Sequence, residues 1–217
     1  MTIADAVAFI RANTRLLPVP HTPEIRLHLA DEITPIWHRT EEELGEMGLP
    51  PPFWAFAWAG GQALARYILD HPTLFAGHRV LDFASGSGLV AIAAMKAGAR
   101  SAIAADIDPF SLAAIELNAA ANGVMLEPSA INFLDAPLPP VDSLFAGDIF
   151  YQRDIAEQVL PFLEGAAARG VQVLIGDPGR TYLPREKLVS LATYAIPVSR
   201  ELEDLEIKQT SVWRLRL

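Results

Sequence analysis

Val80-Leu81-Asp82-Phe83-Ala84-Ser85-Gly86-Ser87-Gly88 is an apolar strand that ends in a carboxylate and a tight turn of small residues. An Ala-rich segment of helical character follows as far as Lys96. Gly86 and Gly88 remove the side chains that would keep a bulky ligand off the backbone, and the helix N-terminus beyond them offers unpaired amide donors to an anionic group. Strand, glycine turn and helix in this order are the first unit of an open α/β sheet, with a ligand at the carboxyl end of the strand.

Downstream the alternation continues. Residues 101–106 form the next strand, and the helix after it has marked ends: Asp108 at the N-cap, Pro109 in the first turn, and Asn122-Gly123 at the stop. Asp106 falls about twenty residues after the turn, where a carboxylate can take both hydroxyls of a ribose. Further strands are expected at 129–133, 143–148 and 171–175. A helix carries Ile155, Val159 and Phe162, and another is expected from Pro184 to about Tyr194. At the end Trp213, Leu215 and Leu217 alternate with Val212, Arg214 and Arg216, and residues 195–201 offer a partner, so an antiparallel strand pair closes the fold. The expected architecture is α/β: a mostly parallel Rossmann-like sheet, helices on both faces, and a C-terminal antiparallel strand pair.

Upstream, Ile3, Ala6, Val7 and Ile10 recur at helical spacing, and Leu17-Pro18-Val19-Pro20 cannot be helical. Glu41-Glu42-Glu43 beside Leu44 and Met47 has the pattern of a solvated helix face. Phe53-Trp54-Ala55-Phe56-Ala57-Trp58 leads through Gly60-Gly61 into a helix with Leu64, Tyr67 and Ile68 on one side. Residues 1–52 are thus expected to be a helical lead-in packed on a main domain of residues 53–217. There is no internal repeat, and Pro137-Leu138-Pro139-Pro140 is short enough to be a rigid loop.

Of the 217 residues, 51% are hydrophobic and 20% charged, enough for one sizeable core. Seventeen basic against 26 acidic residues give a net charge of −9, which argues against nucleic acid and for a basic protein partner. Without cysteine there is no disulfide and no thiolate zinc site, and the five histidines lack paired ligand spacing, so no metal is expected. No apolar run reaches a membrane span, and the N-terminus has neither a signal-peptide core nor a transit-peptide composition. A monomeric protein of the bacterial cytoplasm is the simplest expectation.

The glycine turn alone fits two ligand classes. Gly86, Gly88 and Ala91 satisfy the permissive dinucleotide fingerprint, and Asp106 suits its ribose. Asp82, however, puts negative charge where a pyrophosphate would approach. From Val80 to Leu217 the sequence resembles the class I methyltransferases, which implies S-adenosylmethionine as methyl donor and S-adenosylhomocysteine as product. The resemblance implies that Ala84, Ser85, Gly86 and Gly88 form the methionine-end turn, and that Asp82 takes the cofactor's amino group or else bonds the turn backbone. Asp106, with Ile107 beside it, would hold the ribose. Asn132, Phe133 and Leu134 would line the adenine or else pack the strand end, Trp58 would close over the cofactor, and Gly147 would complete that side. Trp54 is either a second cover or core.

Gly147-Asp148-Ile149-Phe150-Tyr151 stands at the end of the fourth strand. It resembles the Asp-x-x-Tyr motif of the seven-strand protein lysine methyltransferases, in which Asp148 would hold the acceptor amine and Tyr151 shape its channel; the alternative is that Asp148 caps the next helix. Lysine attacks as a neutral amine although its reference pKa is about 10.4, so the site has to desolvate and align it. His21-Thr22-Pro23-Glu24-Ile25, Trp54 to Leu64, and Leu174-Ile175-Gly176-Asp177-Pro178-Gly179-Arg180 together resemble the electron transfer flavoprotein beta subunit lysine methyltransferases. Ala59, where proline is expected, and the Ala84-Ser85-Gly86-Ser87 turn depart from that pattern without removing a charge. The implied partner is the flavoprotein beta subunit, with Arg180 either meeting an acidic group of it or lying on the surface. Competing readings are a ribosomal-protein methyltransferase, sharing the Val80 to Asn122 region, and a cofactor-binding module without catalysis.

Overall fold

The computed structural model describes residues 3–30, 51–198 and 207–216. Its centre is a seven-stranded sheet made of β3 (Arg79–Phe83), β4 (Ser101–Ala105), β5 (Glu127–Ser129), β6 (Ser143–Gly147), β7 (Gln172–Asp177), β8 (Leu188–Pro197) and β9 (Ile207–Leu215). The strand order is β5-β4-β3-β6-β7-β9-β8. The first five are parallel, and β9 runs antiparallel to both β7 and β8. The chain moves outward from β3 to β5, then returns to β6 on the other side of β3. A topological switch point therefore lies between the carboxyl ends of β3 and β6.

Side chains on a strand alternate between faces, and the core follows. Val80, Phe145 and Leu174 pack on one face with Leu64 and Ile68 of α2 (Ala59–Asp70) and Val90 and Ile92 of α3 (Leu89–Lys96). Leu81, Leu144, Val173 and Ile175 pack on the other with Val159, Leu163 and Ala166 of α5 (Arg153–Ala168). In α4 (Pro109–Ala121), Asp108 caps the helix by accepting the Phe110 amide at 2.9 Å, as its position predicts.

Three local expectations are corrected. Among the described residues the lead-in carries one helix, α1 (Ile3–Asn13), and then β1 (Arg15–Val19) and β2 (Thr22–Leu29), which form an antiparallel hairpin. The signal was the alternation in β2, where Ile25, Leu27 and Leu29 are buried and Glu24 and Arg26 exposed. The segment after Pro184 is not a helix: a short 3-10 turn at Arg185–Lys187 leads directly into β8, whose pairing with β9 overrides the helical spacing of its leucines. The strand expected at 129–133 ends at Ser129, and Asn132 to Leu134 lie in a turn. Glu41-Glu42-Glu43 and residues 199–201 lie outside the described residues. No helix among the described residues is long and apolar enough to cross a membrane.

The lead-in is tied to the glycine turn. Fully buried Asn118 on α4 accepts the His28 amide of β2 at 2.7 Å and donates to the Ser87 carbonyl at 2.8 Å. Ala6 and Ile10 of α1 share a core cluster with Trp54 and Phe110, whose rings stack at 6.2 Å.

The N-terminus of α2 touches the sheet backbone to backbone. A Cβ at Gly60 would collide with the Gly176 carbonyl and sit 2.6 Å from Oδ2 of Asp148; a Cβ at Gly176 would collide with the Gly60 carbonyl. Gly60→Ala should therefore destabilise the protein by about 2–4 kcal/mol. Gly165→Ala, on α5 with nothing within 4 Å of the added methyl, should stabilise it by about 0.5–1 kcal/mol. Denaturant midpoints of the two variants test the contrast.

Candidate active site

A cavity of about 600 Å³ opens at the switch point between β3 and β6. Of the residues singled out from sequence, Trp58, Asp82, Ala84, Ser85, Gly86, Asp106, Ile107, Asn132, Gly147, Asp148 and Tyr151 line it. Gly88 does not: its φ of +82° forms the left-handed N-cap of α3 beside Ile115 of α4, so glycine serves turn geometry. Phe133 does not either: it is buried in the core cluster that also holds Val159 and Leu163 of α5, and Ile131 and Leu134 line the cavity with Asn132. Trp54 is core; Trp58 lines the cavity, its Nε1 donating to the Phe53 carbonyl at 2.8 Å. Phe53, Phe56 and Arg180 also line it, and the first two were visible only as part of an aromatic cluster.

At one end the glycine turn meets Asp82 and Asp106. Asp82 accepts the Ser85 hydroxyl at 2.5 Å and the Ala91 amide at 3.1 Å, both through Oδ2. Asp106 accepts the Gly86 amide at 2.8 Å and the Asp108 amide at 3.0 Å, one on each oxygen. Burial pushes Asp82 up to about 7 from an ordinary 3.8, and the neighbouring charge of Asp106 adds to it. Burial raises Asp106 as well. Two carboxylates that burial makes harder to ionise are an attractive seat for a cationic, hydroxyl-bearing ligand, whose charge would favour their ionised form.

At the other end stands Asp148. Its φ of +56° is left-handed, as is that of Ala84 at +53°; among the described residues these are the non-glycine residues with positive φ, one at the end of each strand flanking the switch point. Such a conformation costs a non-glycine residue about 1–2 kcal/mol and persists where surrounding contacts enforce it. For Asp148 those contacts are explicit. Its amide donates to the Gly176 carbonyl at 2.9 Å, Oδ2 accepts the Gly61 amide at 3.0 Å, and Oδ1 accepts Nη2 and Nε of Arg180 at 2.7 and 3.2 Å. It does not cap α5, whose N-cap is Gln152. Tyr151, half-exposed, packs against Phe53 with ring centroids 5.8 Å apart. Arg180 is no surface arginine: it pairs with Asp148 inside the cavity.

The strand order, the antiparallel β9 and the cavity at the switch point define a class I methyltransferase. The solved ribosomal protein L11 methylase of Lactobacillus delbrueckii subsp. bulgaricus shares the fold, with a TM-score of 0.52 at 23% identity over 74% of this chain and 81% of that one. The family model of ribosomal protein L11 methyltransferase (PrmA) matches residues 63–146. The chain belongs to the electron transfer flavoprotein beta subunit lysine methyltransferase family. It is 36% identical to the Xenopus laevis protein over 95% of this chain and 85% of that one, and 35% identical to the human protein over 95% and 80%. The expected bacterial cytoplasmic setting is overturned by these relatives. The Xenopus laevis and human relatives, which match nearly end to end, are animal proteins, whereas an L11 methyltransferase of Pseudomonas aeruginosa matches 49% of the chain, at 41% identity. The composition argument failed because net charge and residue composition say nothing of the source.

Between pH 3.8 and about 7 Asp82 binds more protons in the folded than in the unfolded chain, so its contribution to stability falls as pH rises through that window. Asp82→Asn should therefore lose less stability than the wild type between pH 5 and pH 8 in the absence of ligand, as measured by denaturant titration at both pH values.

Proposed function

We propose that this protein transfers methyl groups from S-adenosylmethionine to lysine side chains of the electron transfer flavoprotein beta subunit. The observation that carries the reading is the placement of Asp148. Its carboxylate, fixed by the Gly61 amide and Arg180, faces the same cavity as Asp82 and Asp106 from the opposite end. A donor and an acceptor can thus meet within one enclosure.

The residues fit the donor. The free lone pairs of Asp106 suit ribose hydroxyls, and buried Asp82 lies where positive charge would be welcome. Asn132, Ile131 and Leu134 offer a pocket for a base, and Trp58 a flat cover. S-adenosylmethionine supplies an electrophilic sulfonium methyl, which the lysine nitrogen takes while the carbon–sulfur pair stays on sulfur, and the methylated nitrogen then sheds a proton to water. The chain's own part is positional. Asp148 accepts a hydrogen bond from the acceptor nitrogen and aims its lone pair, while Tyr151 and Phe53 keep water from the approach.

The net charge of −9 favours a basic protein surface as partner over nucleic acid. A ribosomal-protein substrate draws less support. The L11 family model stops at residue 146, two positions before Asp148, so that likeness covers the donor end and not the acceptor end.

Transfer of labelled methyl from S-adenosylmethionine to purified electron transfer flavoprotein tests the reading. Label should appear on the beta subunit and fall about 100-fold or more in Asp148→Ala, with the variant's unfolding midpoint confirming that it is folded. No label from a wild type that binds the cofactor would discard the substrate; equal label from the variant would discard the acceptor site.

A further inference from the structure

Arg180 is built into the acceptor end from several sides. Oδ1 of Asp177 accepts the amides of Gly179 and Arg180 at 2.6 and 2.7 Å, which fixes the turn leaving β7. Gly179 takes a φ of +92° there, open to glycine but not to most residues. The guanidinium carbon lies 5.8 Å from the centroid of the Trp58 ring, and two of its nitrogens reach one oxygen of Asp148. The two side chains are 18% and 11% exposed, so the pair is largely removed from water. An arginine held this way is a fixed charge rather than a mobile surface group.

Building on the lysine-methyltransfer reading, we propose that Arg180 is a positioning residue whose fixed charge cancels that of Asp148 as felt by the arriving amine, so that the acceptor lysine reacts as its neutral base. A lone carboxylate would have the opposite effect. A lysine ammonium beside uncompensated Asp148 is stabilised in its charged form, and a protonated nitrogen has no lone pair with which to attack the methyl carbon. Beside the Asp148–Arg180 pair the ammonium gains little and gives its proton to water before attack. Asp148 keeps its hydrogen-bonding role, since each carboxylate oxygen can accept more than one donor.

Other charged groups stand on the neighbouring elements. On the β7 side stand Asp177, which burial and the charge of Asp148 push up to about 6, and Arg185, whose Nη2 reaches the Gly179 carbonyl at 3.4 Å. Arg153 of α5 lies over the ring of Tyr182. Asp82 and Asp106 line the donor end. Of the groups named here, Arg180 contacts Asp148 and carries the sign that disfavours an ammonium.

The test is the pH dependence of single-turnover methyl transfer to electron transfer flavoprotein by the wild type, Arg180→Gln and Arg180→Lys. Arg180→Gln should be about tenfold slower near pH 7 and have its rising limb displaced by about one pH unit to the alkaline side, approaching the wild-type rate at high pH. Arg180→Lys, which keeps the charge and loses the fork, should retain the wild-type limb. A uniform loss at every pH in Arg180→Gln, or an alkaline displacement in folded Arg180→Lys, overturns the inference. A wild type that does not methylate the flavoprotein at all overturns the substrate reading, and this inference with it.

Discussion

The site depends on the backbone contact between Gly60 and Gly176. Only where both residues lack a Cβ can the first turn of α2 lie directly on β6 and β7. That approach delivers the Gly61 amide to Asp148 and puts the positive end of the helix dipole behind its carboxylate. The dipole contributes about 1 kcal/mol at such a position. Removing one member of the partly buried pair with Arg180 would cost more, about 3–5 kcal/mol, because the other charge would be left uncompensated. The helix terminus therefore sets where the carboxylate sits, and the arginine sets its charge environment.

The cavity is consequently divided by electrostatics. At the ends of β3 and β4, Asp82 and Asp106 have no cationic side chain among their hydrogen-bond partners and are pushed up by burial. At the end of β6, Asp148 is compensated by Arg180. On the proposed reading, the uncompensated end takes a ligand that brings positive charge with it, and the compensated end an amine that has to arrive without one. Both lie around a single switch point, where the left-handed backbone of Ala84 and Asp148 turns each strand end toward the cavity.

Much of this was legible in the sequence because it is local. The run from Val80 to Gly88 specifies strand, turn and helix by residue type alone, and Asp108-Pro109 marks a helix start with unusual clarity. Asp148 and Tyr151 follow from their position after an apolar strand. What was missed is set by tertiary pairing. The leucines and alanines of β8 have a helical look until β9 is beside them, and Phe133 reads as a strand-end residue until the core cluster it joins is assembled. Arg180 could not be assigned from sequence, because its partner is 32 residues away and is reached only by a turn that Asp177 shapes. Gly60 and Gly176 likewise look like ordinary glycines until the helix and the strand are brought together.

The division of the cavity into a donor end and an acceptor end is tested most directly by titrating S-adenosylhomocysteine into Asp106→Ala and Asp148→Ala by calorimetry. Binding should weaken about tenfold or more in Asp106→Ala, where a pair of charge-assisted hydrogen bonds is removed, and should stay close to wild type in Asp148→Ala. Loss of affinity in Asp148→Ala with none in Asp106→Ala would contradict the account.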